Sequence, residues 1–234
     1  MKLEKITKQS GRVYNDACGT AHGLELIGER WALLVVRELM LGPKRFGDLK
    51  ADLMGISANV LTQRLERLEV VGIVTRRKLP PPASVQVYDL TDWGREAEPI
   101  IMTLGRWAAR SPGHDPTLPL SGVSMMLSLR TMIDSKKAGD LRLDAGFVFG
   151  DETYRARLAD GELVVARGEV EGAEFVISGA PEMTAAAVYG DQPLTAMESM
   201  GALTVKGDKA LAQRFIDLYA LPPKAGSYTP YFSP

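Results

Sequence analysis

A chain of 234 residues with 45% apolar side chains is long enough for two hydrophobic cores, and its single cysteine excludes an internal disulfide and a cysteine-based metal cluster. The only histidines, His22 and His114, are far apart in sequence, so no metal site is expected and both are read as surface or packing residues. A net charge of −1 conceals an asymmetry: residues 1–110 carry 17 Lys or Arg against 13 Asp or Glu, and the remainder 11 against 16. The halves are thus +4 and −5, and only the first has the sign that favours a polyanion such as DNA. Met1 to Lys5 leads into polar residues and no apolar run approaches membrane-spanning length, so a cytoplasmic protein with no membrane partner is expected.

The first predicted element is a helix over Thr20 to Gly28, with Cys18 just before it. Arg30 to Leu41 is too apolar for a surface helix, and Gly42-Pro43 ends it. Phe46, Leu49 and Leu53 follow at helical spacing, and Gly55 separates this short helix from the next. Ser57 caps that next helix, with Ile56 packing on Leu61 as a hydrophobic staple. At about 100° per residue, Leu61, Leu65 and Leu68 share one face while Asn59, Gln63 and Arg67 point away from it. Asn and Gln pair with adenine edges and Arg with guanine or phosphate, so the outward face has the chemistry of a major-groove reader, although a solvated face looks the same. Gly72 ends the helix, and Ile73 to Lys78 with Val85 to Leu90 form a two-stranded wing around a proline-rich tip. The expected DNA contacts are Ser57, Asn59, Gln63, Arg64 and Arg67 on the helix and Arg76, Arg77 and Lys78 on the wing.

Thr91 can cap a further helix whose Trp93, Ala97, Ile100, Ile101, Leu104 and Trp107 form an apolar stripe, kinked or divided at Pro99. The stripe needs a partner, either a second subunit or its own domain. Residues 111–120, rich in proline and small side chains, are the expected linker between a domain over 1–110 and another over 121–234. Beyond it, Val123 to Ile133 is a predicted helix. The periodicity then changes to two over Asp144 to Phe149, Thr153 to Leu158, Leu163 to Arg167 and Phe175 to Ser178, with Asp160-Gly161 as a hairpin turn. These strands are expected to form an antiparallel meander. An Ala-rich helix over Pro181 to Tyr189, a short strand Leu203 to Val205 and a helix capped by Asp208 complete an α+β domain.

The run from Cys18 to about Arg110 resembles the HxlR family of bacterial winged-helix regulators. The likeness rests on Leu26-Ile27-Gly28 with Trp31, Arg37-Glu38-Leu39, Arg45-Phe46-Gly47-Asp48-Leu49, Gly55-Ile56-Ser57, Val60 to Leu65, Leu68, Gly72, and Leu90-Thr91 with Gly94. The resemblance implies a homodimer that binds an inverted repeat in double-stranded DNA, one recognition helix per half-site, with the apolar stripe at the subunit interface. Cys18 matches the cysteine that some members use to sense oxidants. Such a thiol must be exposed and partly ionised, and the alternative is a small buried apolar residue.

Gly201 to Phe215 resembles the end of a sterol-carrier-protein-2-like (SCP2-like) domain, and the order of elements from about Ser121 fits as well. That resemblance implies a five-stranded sheet and helices around an apolar tunnel, hence a hydrophobic small-molecule effector. Six of the ten methionines lie after residue 120. The candidate lining is Met126, Met132, Phe147, Phe149, Phe175, Met183, Met197, Met200 and Phe215, and the aromatic tail Tyr228 to Phe232 is expected to dock over this domain or a partner. No cofactor and no catalytic residue is expected, because neither a Gly-rich phosphate loop nor a nucleophile with an evident base is present. The resulting expectation is a dimeric transcription factor controlled by a hydrophobic effector. The alternative is a lipid-binding or interaction protein whose winged helix does not bind DNA.

Overall fold

The computed structural model describes residues 14–190 and 192–226; the aromatic tail lies outside them. The first half holds α1 (Gly19–Ile27), α2 (Ala32–Leu39), α3 (Phe46–Asp52), α4 (Ala58–Val70), β1 (Val74–Lys78), β2 (Gln86–Leu90), α5 (Asp92–Arg95) and α6 (Glu98–Ala108). The predicted helix over Arg30 to Leu41 is shorter at both ends, because Trp31 adopts a left-handed conformation (φ 78°) and Gly42 a positive φ of 121°. Val35, Val36 and Leu39 of α2 meet Leu49 of α3 and Leu61, Leu65 and Leu68 of α4 in one core, all 1% exposed or less. Each such side chain contributes about 1.5–3 kcal/mol through burial. Pro99 divides the helix after Thr91 in two. It stands in the first turn of α6, where its missing N–H costs no hydrogen bond.

The second half runs α7 (Gly122–Met132), α8 (Ser135–Ala138), β3 (Leu143–Phe149), β4 (Glu152–Ala159), β5 (Glu162–Arg167), β6 (Phe175–Gly179), α9 (Pro181–Tyr189), α10 (Leu194–Ser199), β7 (Leu203–Gly207) and α11 (Lys209–Ile216). The strands pair in the order β5-β4-β3-β6-β7. This corrects the expected antiparallel meander, since β3 and β6 are parallel, with Ala145 opposite Phe175. The cause is the loop after β5, which crosses the outer face of the sheet before β6 begins. Arg155 on β4 donates to the carbonyls of Glu169 (2.9 Å) and Glu171 (2.7 Å) in that loop, and is itself held by Asp144. Val170 packs where Gly146 has no side chain; a Cβ there would stand 2.8 Å from the Val170 Cβ. Strand periodicity carries no information about such a crossing.

The inner face of the sheet is solid where a ligand tunnel was expected. Phe147 lies 6.0 Å from both Phe149 and Phe215, and Phe175 lies 5.7 Å from Phe215, ring centre to ring centre. These rings, with Met126, Met132 and Met197, belong to one buried cluster; Met183 packs partly buried on its edge and Met200 is 66% exposed. Tilted rings packed at this distance leave the proposed lining residues filling the core rather than bounding a tunnel.

The two halves are joined by a charge network centred on the buried Lys44 and Glu38, with half-buried partners around them. Lys44 Nζ donates to Glu38 Oε2 (3.1 Å) and Asp52 in the first half, and lies 3.4 Å from Glu152 Oε1 on β4. Glu38 Oε1 also accepts from Arg37 Nη2 and from Ser121 Oγ, each at 2.7 Å. Glu152 is further held by Tyr154 OH (2.6 Å) and Arg167 Nη2 (2.5 Å), while Arg167 stacks 5.2 Å over the Tyr154 ring. Three cations thus face three anions. Gly122 completes the fit, because a Cβ there would stand 2.9 Å from both Glu152 Oε2 and Tyr154 OH. Burial alone would pull the Lys44 ammonium down, but Glu38, Asp52 and Glu152 together hold it above its ordinary value. Burial likewise pushes Asp52 up, and Lys44 does not fully offset it because Glu38 and Glu152 share the same cation. Glu152 also feels burial, yet the bonds from Tyr154 and Arg167 and the Lys44 charge hold its carboxyl below the ordinary range.

Lys44→Met leaves the fully buried Glu38 short of a partner, and should lower the unfolding free energy by about 3 kcal/mol in denaturant titrations. Arg157→Ala, at an exposed ion pair with Asp144, should cost under about 1 kcal/mol. Because the Glu152 pKa is depressed on folding, its contribution is present above the ordinary glutamate value and is lost as pH falls through the folded one.

Candidate nucleic-acid interface

The outward face of α4 is built by its cap and its leucines. Ser57 is extended (φ −80°, ψ 155°) and its Oγ accepts from the Val60 N–H at 3.2 Å, which fixes where the helix begins. Leu61, Leu65 and Leu68 anchor the inner side, so Asn59 and Gln63 emerge exposed on the opposite one. Thr62 and Glu66 share that exposed face and were missed, although the same arithmetic of 100° per residue places them there. A Glu can accept from cytosine N4 and a Thr can contact the thymine methyl, so the face carries a mixed set of base-reading groups.

Arg64 does not join them. Its Nε donates to the Arg30 carbonyl at 3.1 Å and its guanidinium pairs with Glu29, which ties α4 to the turn before α2. Standing three residues after Leu61 and four before Leu68, it lies at the border of the buried stripe. Arg67 is half-buried on that helix and close enough for its charge to act on Glu25 of α1.

The wing divides its cations in the same way. Register places Arg76 opposite Tyr88 and Lys78 opposite Gln86 on one face, while Arg77 opposite Val87 points the other way. Arg76 and Lys78 are exposed, Arg76 having only Glu69 at 4.0 Å. Arg77 instead donates through Nε (3.1 Å) and Nη2 (2.8 Å) to Asp89, which also takes Arg95 Nη2 at 2.7 Å. Asp89 is only 6% exposed and acts as a clamp between the wing and α5, a role the sequence reading did not assign. Thr91 adds a second tie, donating to the Gly72 carbonyl (2.7 Å) and accepting from the Gly94 N–H (3.0 Å). The wing is thereby fixed relative to the end of α4. The structure thus brings Asn59, Gln63, Arg76 and Lys78 to the surface and uses Arg64 and Arg77 to hold the scaffold.

The apolar stripe also splits. Trp93 (48% exposed), Ile100 (52%), Leu104 (44%) and Trp107 (70%) face outward, and the last three border an open apolar groove with Pro99 and Thr103. Ala97 and Ile101 pack inward against the core of the first half, which corrects their place in the expected subunit interface. Ile101 lies about 100° around the helix from Ile100, and Ala97 is the N-cap before the first turn. Cys18 is exposed at the N-cap of α1, not buried. Backbone hydrogen bonds from Thr20 and Ala21, then the Thr20 side chain, hold its thiol below its ordinary value.

Comparison with known proteins fits this geometry. The HxlR-like helix-turn-helix family matches residues 26–115, and the family described as alkyl sulfatase C-terminal matches residues 118–225. The HTH-type transcriptional regulator YvaP of Bacillus subtilis is 35% identical over 85 residues, which cover 36% of this chain and 79% of that one. The reduced form of the transcriptional regulator YodB from B. subtilis aligns at 31% identity over 43% of this chain and all of that chain, with a TM-score of 0.38. The inverting sec-alkylsulfatase Pisa1 from Pseudomonas sp. aligns at 19% identity over 47% of this chain and 17% of its own, also with a TM-score of 0.38. The capped recognition helix, the clamped wing and the extent of the likeness to YvaP place this chain in the HxlR-like helix-turn-helix family of transcriptional regulators.

Proposed function

We propose that the protein is a homodimeric, sequence-specific binder of double-stranded DNA that regulates transcription in the cytoplasm, and that a hydrophobic small molecule held by the second domain adjusts it. The observation that carries this reading is the pairing of an exposed Asn59–Gln63 face on α4 with the exposed cations Arg76 and Lys78 on a wing fixed beside it. The helix has side chains for base edges and the wing has charges for phosphates. The outward row of Trp93, Ile100, Leu104 and Trp107 supports a two-fold dimer. Such symmetry sets two recognition helices on an inverted repeat about one helical turn apart, or a multiple of it. The sterol-carrier-like part of the reading is supported by the five-stranded sheet alone, since the core beneath it is closed, and gives the second domain a binding role at its border and not a catalytic one. No described helix is long and apolar enough to cross a membrane.

Binding to DNA from beside its own gene, measured at several salt concentrations, tests the reading. Asn59→Ala with Gln63→Ala should remove sequence preference at a cost of about 1–3 kcal/mol per lost base contact. Arg76→Ala and Lys78→Ala should each weaken all sequences alike and reduce the salt slope by about 1. A parent protein that shows no sequence-selective complex sinks the proposal and leaves an interaction protein with a helix-turn-helix scaffold.

Leu104→Asp with Trp107→Asp puts charges on the outward row without touching the core. Sedimentation should then show monomers in place of dimers, and DNA affinity should fall because the second half-site is lost. A wild-type protein that sediments as a monomer refutes the dimer. Oxidant sensing by Cys18 is the remaining part of the proposal: an oxidant should alter DNA affinity in the wild type and leave Cys18→Ser unaffected. An equal response in both proteins removes Cys18 from the mechanism.

A further inference from the structure

A cleft of about 410 Å³ lies where the two halves meet, between Ile101 and Gly105 of α6, the linker, Ser128 of α7 and Tyr189 of α9. That volume falls within the range of small-molecule sites. Its floor is apolar, formed by Leu127, Met132 and Ala185 of the buried core. Its outer wall is the linker, exposed from residue 112 to residue 119. The hydroxyl residues that border it are Ser124, Thr131, whose Oγ1 donates to the Leu127 carbonyl at 2.6 Å, and a bonded pair, Ser128 Oγ and Tyr189 OH, 2.7 Å apart. Two hydroxyls joined by one hydrogen bond use one of their two hydrogens, so the other is left to donate. Burial raises the Tyr189 phenol and keeps it protonated.

The charges around the cleft favour a neutral guest. Arg37 borders it, but its Nε and Nη2 are already bonded to Glu38. Asp115 borders it too and would repel an anion. An anionic guest would therefore lose its hydration without gaining an uncompensated partner, and a cation would find only Asp115, on the exposed linker where water screens its charge and its Oδ1 already accepts from Thr117.

We propose that this cleft binds an uncharged, mainly apolar small molecule with one accepting oxygen, such as a carbonyl, seated on the Ser128–Tyr189 pair. The guest rests on α6 at Ile101 and Gly105, about 100° around the helix from Ile100 and Leu104, so its binding shifts the subunit geometry and with it DNA affinity. This second clause rests on the regulator reading above; the site itself does not.

The probes are benzophenone, an apolar body with one carbonyl that attaches to nearby C–H bonds under near-ultraviolet light, and diphenylmethane, the same body without the oxygen. Both are titrated into the full chain. Benzophenone should bind about tenfold more tightly, the worth of one net hydrogen bond in an apolar site. Ser128→Ala with Tyr189→Phe should abolish that preference. Gly105→Leu should block both probes while folding normally, since an added Cβ at this position meets nothing within 4 Å. Irradiation should label peptides from α6, the linker and α7. Equal affinity for the two probes, undiminished binding to Gly105→Leu, or labelling elsewhere overturns the site. Loss of the site with selective DNA binding intact leaves the regulator reading standing. A labelled cleft in a protein without selective DNA binding keeps the site and sinks that reading. A labelled cleft with selective DNA affinity unchanged by benzophenone overturns the coupling to α6.

Discussion

Lys44 is the residue on which the rest of the arrangement depends. Its backbone pairs with Tyr88 of β2 in both directions, N–H to carbonyl at 3.0 Å and the reverse at 2.9 Å, an isolated antiparallel bridge that ties it to the wing. Its ammonium then reaches into the interface between the halves and meets Glu38, Asp52 and Glu152. One residue therefore sets the wing against α2 and α3, and sets all three against the second sheet. Taking this charge out of water is costly, and the cost is offset only while every carboxylate around it remains in place. The neutral balance of the network, with Arg37 and Arg167 as the other cations, is what makes a buried polar joint tolerable. It also gives the joint one geometry, because a shifted domain would strand charges instead of merely sliding apolar surfaces.

The exposed face of α4 inherits that rigidity. A recognition helix can discriminate bases only if its side chains arrive at fixed positions. Here α4 is held at its start by the Ser57 cap, along its inner side by three leucines, at its border by Arg64 on Arg30, and at its end by Thr91 on Gly72. Asp89 does the same for the wing by collecting Arg77 and Arg95. Arg64 and Arg77 are thus committed to holding shape, and the polar groups left free on the helix face and wing are Asn59, Thr62, Gln63, Glu66, Arg76 and Lys78. The modest positive charge of the first half is consistent with that division.

Much of this was legible in the sequence, and the parts that were not share a cause. Helix caps, glycine stops and hydrophobic periods act within a few residues, so Ser57, Gly72, Thr91 and the strands of the second half could be placed from local pattern alone. The Pro99 break, the helix over Pro181 to Tyr189 and the Asp208 cap came out for the same reason. What failed was long-range. Nothing near Arg64 announces Arg30, nothing near Arg77 announces a buried Asp89, and no period tells that the loop after β5 crosses over Gly146 to make β6 parallel to β3. The methionines and phenylalanines after residue 120 are read from the sequence as the lining of a cavity, but composition cannot distinguish a ring cluster that closes on itself from one that surrounds a tunnel.

The helix α7 shows why a two-domain version of this scaffold differs physically from a single winged helix. Its N-terminus carries Ser121 and Gly122 into the Lys44 network, while Ser128, Thr131 and Met132, two turns further on, border the cleft beneath α6. Arg130 of the same helix pairs with Glu98 at the start of α6, and Arg106 donates to the Thr131 carbonyl at 2.8 Å. Beyond the linker, Lys224 reaches the Ala109 and Ser111 carbonyls at 3.1 Å each, closing the chain back onto the end of α6. The helix with the outward apolar row is therefore gripped along its length by the second domain. Any free-energy difference that the second domain feels between two positions of α6 must appear, by linkage, as a difference in how that outward row meets a partner.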